Sequence, residues 1–95
     1  MNITIGSVVK CLAGREKNSF YVAVGIHDGF VFIADGKERK LQKPKRKNIK
    51  HISPTNTVFD TDGLTNKKLR KLIAEFKTQN SNPADRQPLE DGEVF

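Results

Sequence analysis

The 95-residue sequence has no tryptophan, one cysteine, one methionine and one tyrosine, and these shortages exclude several kinds of protein. A lone thiol, Cys11, cannot close an internal disulfide or assemble a zinc site, so a reducing compartment suits the chain and no metal is expected. No run of about eighteen apolar residues occurs, and the opening MNITIGSVV has neither a basic n-region nor an apolar core of export length. The expectation is a soluble cytoplasmic chain with no membrane partner. Phosphate-binding glycine loops are absent, and no nucleophile, base and orienting group fall at a recognisable spacing, so neither a catalytic residue nor a cofactor is expected. One domain is expected, and a domain of this size buries only about 60% of its unfolded surface, which leaves little room for a substrate cavity.

What the sequence has is positive charge in one place. Residues 37–50, KERKLQKPKRKNIK, hold eight of the seventeen basic residues against a single acid, Glu38. The other 81 residues carry nine basic and ten acidic side chains, so the formal +6 of the chain lies in this stretch. Concentrated charge is the footprint of a polyanion partner, because each Lys or Arg that neutralises a phosphate releases condensed counterions. Leu41, Pro44, Ile49 and Ile52 punctuate the run, which points to an ordered segment and not a solvated basic loop. The composition does not by itself choose RNA over DNA, a membrane or an acidic protein.

Short β-type runs separated by turn signals occupy the first half: Ser7 to Ala13, Phe20 to Ile26, Phe30 to Ala34, Glu38 to Leu41 and Ile49 to Ser53. Five strands this short and closely spaced make a small barrel, assigned to residues 1–55. Val9, Cys11 and Ala13 share one face. Phe20, Val22, Val24 and Ile26 alternate with Tyr21, Ala23 and Gly25, the period of a half-buried strand. Asp28-Gly29 is a two-residue hairpin signal that requires positive φ at both positions, and Asp35-Gly36 repeats the device. In residues 56–79, Leu69, Leu72, Ile73 and Phe76 form one apolar stripe, which predicts an amphipathic helix over 66–79 packed on the barrel. Thr65 is the expected N-cap, with Leu64 and Leu69 as a hydrophobic staple. Lys67, Lys68, Arg70 and Lys71 crowd its first turns, where the macrodipole disfavours cations. Residues 80–95 are acidic, contain Pro83 and Pro88, lack periodicity and read as a disordered tail.

Gly6-Ser7-Val8-Val9-Lys10-Cys11-Leu12-Ala13-Gly14-Arg15-Glu16-Lys17, followed by the apolar strand from Phe20, resembles the KOW motif of ribosomal proteins and transcription elongation factors. Ile33-Ala34-Asp35-Gly36-Lys37, Arg39-Lys40-Leu41, Lys43-Pro44-Lys45-Arg46-Lys47-Asn48 and Lys50-His51 continue the likeness. Over residues 5–53 the chain resembles bacterial KOW-domain RNA-binding proteins related to the archaeal and eukaryotic large-subunit ribosomal protein family numbered fourteen. Where the KOW loop usually has Lys followed by Gly, Asn18 follows Lys17. Asn is the non-glycine residue that best tolerates the left-handed region, so the turn is expected to survive.

The resemblance implies an SH3-like barrel that binds structured RNA, most simply ribosomal, without catalysis, as a monomer with ribosomal proteins as further partners. Arg15 and Lys17 in the first loop, with Lys37, Arg39, Lys40, Lys43, Lys45, Arg46, Lys47 and Lys50, are the expected phosphate contacts. Tyr21, on the face opposite the apolar side of its strand, is the candidate for stacking on a base. The alternative is a protein-interaction module that docks on an acidic surface of the transcription or translation machinery. His27 and His51 have no partner at catalytic spacing, and Asp60 and Asp62 read as a turn into the helix because the later ligands of a calcium loop are missing.

Overall fold

The computed structural model describes residues 3–79. Five antiparallel strands are followed by one helix: β1 (Ser7–Cys11), β2 (Phe20–His27), β3 (Phe30–Ala34), β4 (Lys45–Asn48), a 3-10 turn (Ile49–His51), β5 (Ile52–Val58) and α1 (Asn66–Gln79). The strand order is β4-β3-β2-β1-β5. Only the three-residue 3-10 turn separates the two end strands in sequence, so the sheet must curl to bring its ends round, as in the small SH3-like barrel expected. The acidic segment 80–95 lies outside the described residues.

Turn chemistry sets the register. Asp28 and Gly29 adopt φ of 50° and 78°, the left-handed pair that a two-residue hairpin needs to match strand twist. The loop between β1 and β2 closes with Asn18 at φ 69°, so asparagine does take the conformation usually left to glycine, and its N–H donates to the Cys11 carbonyl at 2.8 Å. Between β2 and β3 the register shifts after Ala23, so that Ala23 faces Ile33 and Gly25 faces Phe32. This bulge reverses the alternation of β2.

Each face of the sheet carries a buried cluster. Inside the barrel Val9, Cys11, Tyr21, Ala23, Val31, Ile33 and Ile52 form one cluster. On the outer face Val8, Val22 and Ala34 pack with Leu69, Ile73 and Phe76 of α1, joined by half-buried Phe20, Val24, Leu41, Phe59 and Leu64. The Phe20 and Phe76 rings meet edge to face with centroids 5.2 Å apart. A 14-residue helix is marginal alone in water. Burial of its three apolar anchors, at roughly 1.5–3 kcal/mol each, is what holds it. Thr65 caps it as expected, its hydroxyl accepting from the Lys68 N–H at 3.1 Å and its carbonyl from the Leu69 N–H at 2.8 Å.

Two of the expected strands differ. Glu38 to Leu41 is a turn, because the Asp35 carboxylate accepts from the Lys37 and Arg39 N–H groups at 2.9 Å each and removes those donors from any ladder. The fourth strand instead begins at Lys45, beyond Pro44, and is an edge strand paired only to β3. Ile49 to His51 forms the 3-10 turn, capped by Asn48, whose side chain accepts from the Lys50 N–H at 2.9 Å. The last strand starts at Ile52 and reaches Val58, past the expected barrel limit at residue 55.

Cys11 has no exposed surface, and burial pushes its thiol pKa up. Native protein is therefore expected to react with a thiol reagent at least about a hundredfold more slowly than unfolded protein, since reaction requires opening of the barrel. Rapid labelling of the native state would place β1 the wrong way round.

Candidate nucleic-acid interface

The β1–β2 loop turns one acidic side chain inward. Ser19 N–H donates to the Glu16 carbonyl and Lys17 N–H to the Gly14 carbonyl, at 3.0 and 3.2 Å, folding the loop so that Arg15 and Lys17 face solvent while Glu16 is only 8% exposed. The Glu16 carboxylate accepts from Arg39 Nη2 at 2.8 Å and lies 3.1 Å from Lys47 Nζ, which also donates to the Ala13 carbonyl at 3.0 Å. One carboxylate thus ties three segments: the first loop, the connection after β3, and β4. The hydrogen bond from Arg39 dominates in holding the Glu16 pKa down to about 2, with that from Lys47 adding and burial opposing.

The connection from Asp35 to Pro44 has no strand structure, yet it is fixed at both ends. Asp35 holds its first turn from below. From above, Asn66 at the start of α1 accepts from the Leu41 N–H at 2.8 Å and donates to Gln42 Oε1 at 2.8 Å, while Arg70 donates to the Gly36 carbonyl at 2.7 Å. Gly36 sits at φ 78°, and a Cβ there would fall 2.3 Å from the Asn66 carbonyl oxygen. The helix therefore docks on the basic run as well as on the sheet. The crowding of its first turns with cations is partly explained: Arg70 is spent on this contact.

Lys37, Lys40 and Lys43 project from the connection and are exposed, as are Arg46 on β4 and Lys50 in the 3-10 turn, while Lys45 is half-buried. Among the described residues none of these, nor Arg15 or Lys17, forms an ion pair. A shallow cleft of about 330 Å³ opens between Arg39, Lys40, Lys43, Pro44, Lys45 and Arg46, with Glu38 at its rim. Of the cations expected to meet phosphates, the structure engages Arg39 and Lys47 with Glu16, and the Lys47 side chain is only 11% exposed.

Tyr21 is corrected outright. It is 3% exposed inside the barrel, and burial followed by the nearby Asp35 charge pushes its pKa up to about 12. Its ring is not available to a base. The face of β2 opposite its helix-covered side is the barrel interior, not solvent. Glu16 was missed by sequence reasoning. The signal was there in a single acid between Arg15 and Lys17, on an otherwise basic loop.

Other polar groups have local explanations. His27 pairs with Asp28 at 3.2 Å on the exposed hairpin, and Asp60 accepts from the Asp62 N–H at 2.9 Å in the turn before α1. Among the described residues no three His, Cys, Asp or Glu side chains converge on a metal-sized site. No helix among them is long and apolar enough to cross a membrane.

No family model matches the chain. Curated relatives do. The chain is 35% identical over 75 residues to the large ribosomal subunit protein eL14 of several Saccharolobus islandicus strains, covering 77% of this chain and 78% of the relative. The protein of the same name from Staphylothermus marinus is 36% identical over 74 residues, covering 76% and 77%. The chain belongs to the eL14 family. Similarity across three quarters of both chains takes in more than the basic run: the described part of this eL14-family member is 77 residues long, residues 3–79, so a match of this length draws on the barrel framework too.

Proposed function

We propose that the chain binds ribosomal RNA as a ribosome-associated or accessory translation protein, as a cytoplasmic monomer, with ribosomal proteins as possible neighbours. The observation that carries the reading is a set of exposed cations that form no ion pair among the described residues: Arg15 and Lys17 on the loop that carries Glu16, Lys37, Lys40 and Lys43 on the connection that Arg39 ties to it, and Lys50 in the 3-10 turn. The name of its relatives supports a ribosomal context. We read residues 6–17 as a KOW motif, and the chain as a bacterial member of the family, from the residue pattern described above.

In this reading the cations divide into two roles. Arg15, Lys17, Lys37, Lys40, Lys43, Lys45, Arg46 and Lys50 contact RNA, and Arg39 and Lys47 hold the loops that present them. Two cations against one carboxylate leave a net +1 at the tie, so it adds to the positive field instead of cancelling it. Phosphate contacts of this kind give affinity and orientation; the choice of RNA element needs shape or base contacts. No step of bond making or breaking is assigned to the chain.

Sedimentation of the native protein with ribosomal subunits tests the reading. The expected result is migration with the large subunit at about 0.1 M salt and progressive release as salt rises, as counterion release requires. Protein that stays at the top of the gradient at that salt concentration would remove the ribosomal reading.

A further inference from the structure

Val31 and Ile33 point into the barrel, so Phe30 and Phe32, which alternate with them on β3, lie on the outer face. Both are half-buried, and neither belongs to the core cluster on either side of the sheet. The helix covers Val22 and Ala34 and leaves these two rings uncovered. Directly opposite Phe32 stand Gly25 on β2 and Arg46 on β4. The missing side chain at Gly25 lets the Phe32 ring lean on the β2 backbone, where a Cβ would touch it at 3.4 Å. The Arg46 guanidinium lies 4.7 Å from the centroid of the Phe30 ring. The bulge after Ala23 is what brings Gly25, and not a branched residue, beside Phe32.

We propose that Phe30, Phe32 and Arg46 form a stacking platform for an unpaired RNA base, which rests on the reading of this chain as an RNA-binding protein. A guanidinium plane held against an aromatic ring offers a flat, cationic surface, and bases stack on both kinds of group. Charge selects RNA as the occupant over an apolar partner segment. Arg46 lies on the platform, its β4 neighbour Lys45 belongs to the cleft beside it, and Lys50 follows one turn later. Asp28, in the hairpin two residues before Phe30, lies 3.2 Å from His27 Nε2. The platform supplies base contact that phosphate-binding lysines do not.

The test uses full-length protein and two synthetic strands of about ten nucleotides, oligouridylate and an abasic strand with the same number of phosphates. In an F32W variant, the uridine strand is expected to quench indole fluorescence on binding and the abasic strand to bind without quenching. Because Phe32 is half-buried, R46K provides a second test at an exposed site: it keeps the charge and loses the plane. It should weaken the uridine strand about fivefold or more and the abasic strand distinctly less, with the salt slope kept. If both strands bind alike, without quenching, or R46K weakens them equally, the platform is wrong and the phosphate-binding surface stands. If neither strand nor ribosomal RNA binds at about 0.1 M salt, both readings fall.

Discussion

Replacing Glu16 with Gln is expected to destabilise the protein by about 2–3 kcal/mol at neutral pH, a large fraction of the 5–15 kcal/mol typical of a small domain. Gln keeps the shape and can still accept one hydrogen bond, but it leaves Lys47, which is 11% exposed, and the one-third-exposed Arg39 without their counter-charge. Partial exposure of Arg39 is why the figure sits below the full cost of breaking a buried pair. The effect depends on pH with a definite sign. Folding lowers the Glu16 pKa from 4.5 to about 2, so its stabilisation is fully present above pH 4.5 and disappears as pH falls toward 2. Urea unfolding of wild type and E16Q at pH 7 and near pH 2 measures this directly. The two midpoints should differ at pH 7 and converge in acid. A difference that persists unchanged near pH 2 would mean that charge is not what ties the loops together.

Changing Lys37, Lys40 and Lys43 together to Glu is expected to lower affinity for ribosomal RNA at least about tenfold, or roughly 1.4 kcal/mol, with the fold intact. All three are exposed, and surface changes of this kind usually cost under about 0.5 kcal/mol each. A reversal at Lys47 is a different experiment. It would set a second carboxylate against Glu16 and unfold the tie, so lost binding would report lost structure. The loop triple separates the two effects. Its thermal midpoint should stay within a few degrees of wild type while RNA binding collapses; unchanged affinity would show that the connection from Asp35 to Pro44 is a solvated basic loop.

Local rules made much of this legible. Asp28-Gly29 specifies its own turn, Thr65 its own cap, and the stripe from Leu69 to Phe76 the buried side of α1, because each depends on residues within a few positions. Likewise Asn18 in the left-handed region follows from loop chemistry alone. Two kinds of non-local fact were not readable. The bulge at β2 switches faces in mid-strand, so the unbroken alternation from Phe20 to Ile26 hides that Ile26 faces Val31, on the interior side. With one face closed by the barrel and the other by a helix fifty residues away in sequence, an alternating strand no longer says which side is wet, and Tyr21 was misassigned for that reason. The second is charge pairing. Glu16 finds Arg39 and Lys47 across 23 and 31 residues of chain, and no spacing rule connects them. A basic run therefore overstates the number of free cations, since some of its members hold the fold.

The most direct measurement is a salt titration of purified large-subunit ribosomal RNA with the wild-type protein. If about five phosphates are neutralised, log K should fall against log salt with a slope of about −3.5 to −4.5, and the slope of the Lys37, Lys40 and Lys43 triple should be shallower by about 2. Failure to bind this RNA at about 0.1 M salt, with an acidic protein partner retained under the same conditions, would contradict RNA binding and make the chain a protein-interaction module.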